Sequence, residues 1–200
     1  MIIFLDDIRV PSMSHNVGKG LGVDYSDKDK WVIVRDYFGF VDLINKNFDE
    51  IINLCHEFGL KLNLTTNGSF VIKGAKKWAE LLVPVLSDIK ISWNGATKET
   101  HEKIMRGSKW ENVTENLKTF LNVRDNYFHN TGKTCSVTLQ LTFLETNLPE
   151  IYDLTKMAIE LGIDRIKGHH LWVHFEEIKH LSMRRSPEAI KRWNSEVEKI

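Results

Sequence analysis

The sequence has little cysteine, no net charge and no long apolar segment. Only two cysteines occur among 200 residues, Cys55 and Cys135, which excludes a disulfide framework and any metal site built from three or four neighbouring thiolates. The 27 basic and 27 acidic side chains balance, which argues against nucleic-acid binding through a broad basic surface. No run approaches the roughly 18 apolar residues of a membrane helix, and the first ten residues lack the basic start of a signal peptide. We therefore expect a soluble, cytoplasmic protein that binds neither nucleic acid nor membrane.

Beyond residue 48 the chain alternates regularly between apolar strand patterns and amphipathic helix patterns. The predicted strands cover 61–65, 88–93, 136–143 and 165–173. Helices are predicted between them, and a last helix is predicted from residue 186 to the end of the sequence. Strands separated by helices form right-handed βαβ units, so the predicted fold class is α/β with a mostly parallel sheet.

Polar residues follow each predicted strand. Asn67-Gly68 and Asn94-Gly95 follow the first two strands of the alternation, and Asn147 comes shortly after the third. In parallel sheets, ligands bind beyond the carboxyl ends of the strands, so these residues are candidates for a polar binding site. The alternative interpretation is that they are ordinary turn residues, since Asn-Gly is a common turn dipeptide.

Five segments together resemble the radical S-adenosylmethionine (radical SAM) superfamily. They are FGLKLNLTTNG at 58–68, ISWNGAT at 91–97, RGS at 106–108, TFLETN at 142–147 and LGIDRI at 161–166. The resemblance implies a partial (β/α)6 barrel. It also implies reductive cleavage of S-adenosylmethionine at a [4Fe–4S] cluster, followed by hydrogen abstraction from a small organic or peptide substrate, with the cofactor supplying the difficult chemistry.

The resemblance also implies positions for the residues that contact S-adenosylmethionine. It places Thr66 and Asn67 beside the adenosine, and Ser92 and Asn94 at the ribose. It places Arg106 at the carboxylate, and Gln140 and Asn147 on the inner wall of the cavity. For each of them, a role in a turn or in the core is the competing interpretation.

The chain departs from this family where the cluster should bind. The family's C-x-x-x-C-x-x-C loop is absent, and so is the Gly-Gly-Glu segment that normally precedes the helix at Phe48. Three thiolates are needed because each ligates a separate iron and leaves the fourth open. Cys55 lies on the apolar stripe of a predicted helix and Cys135 begins a strand, so both are interpreted as packing residues. We therefore predict that this chain alone holds no cluster and is catalytically inactive.

The first 48 residues resemble a different family, the cyclic-phosphate-processing receiver domain. The segments MIIFLDDIRVP at 1–11 and WVIVRD at 31–36 are the similar parts. This resemblance implies that Asp6 and Asp7 form half of a Mg²⁺ site, because that ion prefers oxygen ligands. The family's downstream Asp-His-Asp segment is missing. The predicted organisation is a truncated receiver-like segment at 1–48, followed by a truncated radical SAM-like domain at 49–200.

The sequence is also compatible with two other functions. One is a Mg²⁺-dependent, receiver-like protein that processes cyclic phosphates. The other is a non-catalytic binding or interaction module, or a chimeric fragment. In any of these cases, the receiver-like strands are expected to cover the edge left open by the missing barrel strands. An enzyme would require a cluster or Mg²⁺ for turnover, whereas a binding module would bind a ligand saturably without either. The sequence favours no particular substrate or oligomeric state.

Overall fold

The computed structural model describes residues 2–3 and 41–200. Within them, five parallel strands form one sheet in chain order. The strands are β1 (Ile2–Ile3), β2 (Lys61–Thr66), β3 (Leu86–Ser92), β4 (Ser136–Phe143) and β5 (Arg165–His170). The predicted α/β class with a parallel sheet is confirmed.

Six α-helices connect or follow these strands within the described residues. They are α1 (Val41–Glu57), α2 (Gly74–Leu82), α3 (Lys98–Ile104), α4 (Trp110–Thr131), α5 (Ile151–Glu160) and α6 (Pro187–Val197). Two short 3-10 helices, Leu148–Glu150 and Glu176–Leu181, precede α5 and α6. None of the helices between residues 41 and 200 is long and apolar enough to cross a bilayer.

Several predicted boundaries differ from the observed ones. The sequence pattern by itself predicts a short helix over 38–43 and a separate amphipathic helix at Phe48, whereas α1 is a single helix from Val41. The last strand ends at His170 instead of residue 173. Its partner strand β4 ends at Phe143, so no further residues of β4 are available for pairing. The last helix ends at Val197 and does not continue to residue 200.

The hydrophobic core lies between one face of the sheet and the helices. Leu64, Ile89 and Leu139 on three neighbouring strands are buried, and they belong to the same apolar cluster as Ile52 of α1 and Phe120 of α4. Successive side chains of a strand point to opposite faces, so the residues between these apolar positions form the other face. The helices therefore cover one face of the sheet, and the opposite face carries the polar side chains.

Among the described residues, β1 is the outermost strand on its side of this sheet. Ile2 and Ile3 pair in parallel with Lys61 and Leu62 of β2. The expected cover of the barrel edge by two receiver-like strands stays a prediction, since only Ile2 and Ile3 of those strands belong to the described residues. The receiver-like segment at 31–36 and the predicted Mg²⁺ ligands Asp6 and Asp7 lie outside the described residues, so the receiver-like segment and its metal site stay predictions.

Candidate functional site

The strand face away from the helices is made of polar side chains, and we call it the polar face. Its positions follow from the alternation of burial along each strand and from the pairing register. From β2 to β5 its members are Asn63, Thr65, Asp88, Lys90, Ser92, Ser136, Thr138, Gln140, Thr142, Arg165, Lys167 and His169. A face of this kind suits a polar ligand, because its hydroxyl, amide and charged groups can form hydrogen bonds.

Two of the predicted cofactor residues are neighbours on the polar face. Ser92 on β3 is paired in register with Gln140 on β4, and Gln140 is paired with Lys167 on β5. Both Ser92 and Gln140 are partly exposed. The three side chains form one row across the sheet near the carboxyl ends of the strands, where ligands of parallel sheets bind. Sequence reasoning missed Lys167, although counting in steps of two from Arg165 would have placed it on this face.

Charge on the polar face is unequal. Lys90, Arg165 and Lys167 are basic, and Asp88 is its one carboxylate among the described residues. Asp88 is buried, and its Oδ1 accepts hydrogen bonds from Nη2 of Arg165 at 2.9 Å and from Oγ1 of Thr138 at 2.8 Å. Among the described residues, this single acidic group is therefore already paired, and the basic side chains of the face outnumber it.

Thr66 is the last residue of β2, and Asn67 begins the turn that follows it. Thr66 is buried on the helix-covered side, and its Oγ1 accepts from the backbone N–H of Gly68 at 3.2 Å. The Oδ1 of Asn67 accepts from the N–H of Ser69 at 2.9 Å. Gly68 has a φ of 74°, and a Cβ there would lie 3.2 Å from a methyl group of Ile91, so this position favours glycine. These bonds make a defined turn, while the predicted adenosine contacts of Thr66 and Asn67 stay predictions.

Asn94 and Asn147 join the loops that follow β3 and β4. The Nδ2 of Asn147 donates to the backbone carbonyls of Asn94 and Thr142 at 3.1 and 2.9 Å, and its Oδ1 accepts from the N–H of Leu144 at 2.9 Å. The Oδ1 of Asn94 accepts from the N–H of Thr142 at 2.8 Å. Both side chains are buried. They hold the carboxyl edge of the sheet in shape, and their predicted roles at the ribose and the inner wall are untested.

Glu150 caps the start of α3 from a distant part of the chain. Its Oε2 accepts from the N–H of Ala96 at 2.7 Å and of Thr97 at 3.1 Å, and its Oε1 accepts from the hydroxyls of Thr97 and Thr100. Partial burial opposes ionisation, but these hydrogen bonds outweigh it and lower the pKa of Glu150. A charged carboxylate at a helix N-terminus is also favoured by the helix dipole. The loop after β3 is thus fixed to the start of α5.

Arg106 belongs to none of the strands that form the polar face, and it lies in the loop between α3 and α4. Its side chain is exposed, and Gly107 beside it has a φ of 88°. Within the described part of the chain no carboxylate forms an ion pair with Arg106. The predicted contact with the carboxylate of S-adenosylmethionine therefore stays a prediction.

The two cysteines do not suit an iron–sulfur cluster. Cys55 lies within α1 and Cys135 directly precedes β4, at the amino edge of the sheet, and both are buried. Burial raises the pKa of the Cys55 thiol, and it raises the pKa of Cys135 to about 11. Cluster ligation requires thiolates that can meet at one place. Among the described residues there is also no group of three histidine, cysteine or acidic side chains that could hold a metal ion.

A parallel sheet with helices on one face and polar residues on the other defines the class of fold, a partial α/β barrel. No protein-family model matches this chain, and no curated protein does. Solved structures of SuiB from Streptococcus suis do match it. The first has 18% sequence identity and a TM-score of 0.53, and covers 75% of this chain and 32% of the SuiB chain.

Two further SuiB structures give the same picture. SuiB bound to S-adenosylmethionine has 18% identity and a TM-score of 0.52, covering 76% of this chain and 31% of SuiB. SuiB bound to precursor peptide SuiA has 18% identity and a TM-score of 0.50, covering 75% and 31%. This chain thus spans about a third of the length of the structures it matches. The likeness shows the fold, which is a partial radical SAM-like fold as the sequence predicted.

Proposed function

We propose that this chain is a radical SAM-like domain that binds S-adenosylmethionine and does not cleave it by itself. The observation that carries the proposal is the row of Ser92 and Gln140, paired in register near the carboxyl edge of an open polar face. The similar protein SuiB has been solved with S-adenosylmethionine bound. Because this chain spans about a third of SuiB, the proposal is restricted to binding and assigns no activity of the complete SuiB protein to this chain.

The residues present suit S-adenosylmethionine in their chemistry. Ser92 supplies a hydroxyl, and Gln140 supplies both a donor and an acceptor, which are the groups that bind ribose hydroxyls. Arg106 would bind the carboxylate through its guanidinium, which forms paired hydrogen bonds with such groups. Asn94 and Asn147 would act by holding the two loops beside this row, since their amides are bonded to backbone groups.

The residues present do not suit the cluster that would reduce S-adenosylmethionine. Two buried, protonated thiols on separate elements cannot replace three neighbouring thiolates. We therefore derive no radical step for this chain. This chain would therefore act as a binding domain toward a small organic or peptide substrate. Any radical chemistry would require cluster ligands that lie outside this chain.

Calorimetric titration of the purified chain with S-adenosylmethionine tests the binding part of the proposal. We expect saturable binding to one site, and a loss of about tenfold in affinity in the double variant Ser92→Ala/Gln140→Ala, because hydrogen bonds contribute about 0.5–1.5 kcal/mol each. The variant Asn122→Ala, on the exposed side of α4, is the matched control and should bind normally. Absence of binding by the wild-type chain would refute the proposal.

Anaerobic reconstitution with iron and sulfide tests the second part. We expect no stoichiometric iron and no absorbance near 400 nm, with a cooperative thermal transition in the same sample. Binding of about four irons per chain, with a spectrum that responds to S-adenosylmethionine, would overturn the expected inactivity. Cys135→Ser would then show whether this buried thiol is a ligand.

A further inference from the structure

We propose that β5 binds an extended segment of another protein as an added strand, and that acidic and apolar side chains alternate along this segment. The inference goes beyond the binding of S-adenosylmethionine and does not depend on it. It starts from the position of β5 (Arg165–His170) in the sheet. Among the described residues, β5 pairs with β4 on one side and is the outermost strand on the other.

The outer edge of β5 can form a further ladder of backbone hydrogen bonds. An edge strand presents a row of backbone N–H and C=O groups that no neighbouring strand uses. β5 has six residues, an ordinary strand length, and it contains no proline, so each of its residues keeps its N–H donor. When a peptide is added to a sheet edge, main-chain hydrogen bonds give the affinity, and the side chains on either face give the specificity.

The helix-covered side of this edge carries an apolar groove of about 430 Å³. Its walls include Phe143 of β4, Ile166 of β5, Ile159 of α5, and Trp193 and Val197 of α6. Ile159 is 73% exposed and Val197 is 41% exposed, so their apolar surface is open to a ligand. Every second side chain of a strand added to β5 points to this side of the sheet. Apolar side chains at those positions would be removed from water against the groove, which favours binding.

The polar face at the same edge is basic. Arg165, Lys167 and His169 occupy alternate positions of β5 and are exposed. The Arg165 side chain is 59% exposed, and its hydrogen bond to Asp88 leaves it further N–H donors. Within residues 41–200 no carboxylate forms an ion pair with Lys167. Opposite charges on neighbouring strands stabilise their pairing, so acidic side chains are expected on this face of the added strand.

A second copy of this chain fits the edge poorly. Antiparallel pairing of two β5 strands would place Arg165 and Lys167 of both chains on one face of the joined sheet, and like charges on paired strands are destabilising. Charged side chains, lysine above all, are a common protection of edge strands against self-association. The two sides of the edge therefore select a different chain, which is acidic on one face and apolar on the other.

Titrations with synthetic peptides of the length of β5, followed by the backbone amide signals of the protein in NMR spectra, test this inference. Valine and glutamate alternate in the first peptide, and valine and lysine alternate in the second. We expect saturable binding of the acidic peptide, with the largest signal shifts in β5, and about tenfold weaker binding of the basic peptide. The acidic peptide with an N-methylated backbone should not bind, because it cannot donate ladder hydrogen bonds. No saturable binding of the acidic peptide, or equal binding of its N-methylated form, would overturn the inference.

Two pairs of variants test the two sides of the edge. Lys167→Glu should weaken binding of the acidic peptide and strengthen binding of the basic one, whereas Lys118→Glu, at an exposed position of α4, should change neither. Ile159→Asp should weaken binding of the acidic peptide, because it places a charge in the apolar groove. Ile72→Asp, at a similarly exposed position before α2, is the matched control and should bind normally. Equal effects within either pair would contradict the inference.

Sedimentation of the wild-type chain tests the alternative occupant. We expect no self-association through β5. A dimer that Ile159→Asp dissociates, and that excludes the acidic peptide, would assign the edge to a second copy and overturn the inference. Failure of the chain to bind S-adenosylmethionine would refute the proposed function and leave all of these expected results unchanged.

Discussion

Arg124 of α4 donates from Nη1 to the Oδ2 of Asp164 at 2.9 Å, at the amino edge of the sheet and opposite to the candidate site. The same carboxylate oxygen accepts from the N–H of Val137 at 2.7 Å, and Nη2 of Arg124 donates to the carbonyl of Gly162 at 3.1 Å. One buried guanidinium therefore connects α4 to the start of β4 and to the turn before β5.

We expect Arg124→Met to lower the free energy of unfolding by about 2 kcal/mol. Removing one partner of a buried ion pair costs about 3–5 kcal/mol, and the partial exposure of Asp164 reduces that cost. Urea unfolding followed by circular dichroism measures it. Lys98→Met, which breaks the exposed pair with Glu111, is the control and should cost much less than Arg124→Met, because solvent screens the exposed pair. Equal effects of the two variants would show that the buried ion pair of Arg124 stabilises the fold no more than the exposed pair of Lys98 does.

Glu150→Gln should destabilise the fold by about 1 kcal/mol, as expected for the loss of a helix cap. The folded pKa of Glu150 is lowered from its ordinary value of 4.5. Its charged form therefore stabilises the protein above pH 4.5, and this contribution is lost as the pH falls from 4.5 through the folded pKa. Urea midpoints measured between pH 6 and pH 3 should fall less steeply for Glu150→Gln than for the wild type. The same pH dependence of the urea midpoint in both proteins would show that the charge of Glu150 does not stabilise the fold.

His101 should make the fold sensitive to mild acid. Its ring is fully buried between Trp93 and Trp110, and its Nε2 lies 3.1 Å from the hydroxyl of Ser108. Burial lowers the pKa of His101 below its ordinary value of 6.5. The unfolded chain binds this proton more readily, so stability is complete above pH 6.5 and is lost as the pH falls through the folded pKa.

Unfolding free energies at pH 7.5 and pH 5.5 test this role of His101. We expect the wild-type value to fall between the two, and the fall to be smaller in His101→Phe, which keeps a ring in the aromatic cluster. His129→Phe, at the exposed end of α4, is the matched control and should retain the wild-type dependence. An unchanged pH dependence in His101→Phe would assign the effect to other groups.

Both cysteines should resist modification while the chain is folded. Burial keeps Cys55 and Cys135 protonated, with the pKa of Cys135 at about 11, and the thiolate is the reactive form. A chromogenic thiol reagent at pH 8 should react slowly with the native chain and rapidly with both thiols in urea. Fast reaction of either cysteine without denaturant would show that it is accessible, which would reopen the question of cluster ligation.

The strands and helices between residues 61 and 170 could be predicted because their local patterns agree with their final environment. Apolar residues at alternating positions mark β2, β3 and β4, and Gly162 follows the apolar stripe of α5 in the left-handed conformation that ends a helix. The single helix α1 was predicted as two pieces. Its boundaries depend on packing that the local pattern does not contain.

The candidate site was predicted less completely than the fold. Ser92 and Gln140 were identified from a resemblance, and the structure pairs them in register. The importance of Lys167 and Glu150 was missed. Their partners lie on other strands or more than 50 residues away, as Glu150 and Ala96 do, so no local spacing indicates them.

The sequence by itself determined the parallel α/β class and the lack of a three-cysteine cluster loop, because hydrophobic periodicity and residue counts are local properties. Only the tertiary structure decided which polar side chains meet. It placed Ser92, Gln140 and Lys167 in one row. It also showed that the side chains of Asn94 and Asn147 hold two loops together through hydrogen bonds. Strand register sets these contacts, and a shift of one residue would move every side chain of a strand to the opposite face.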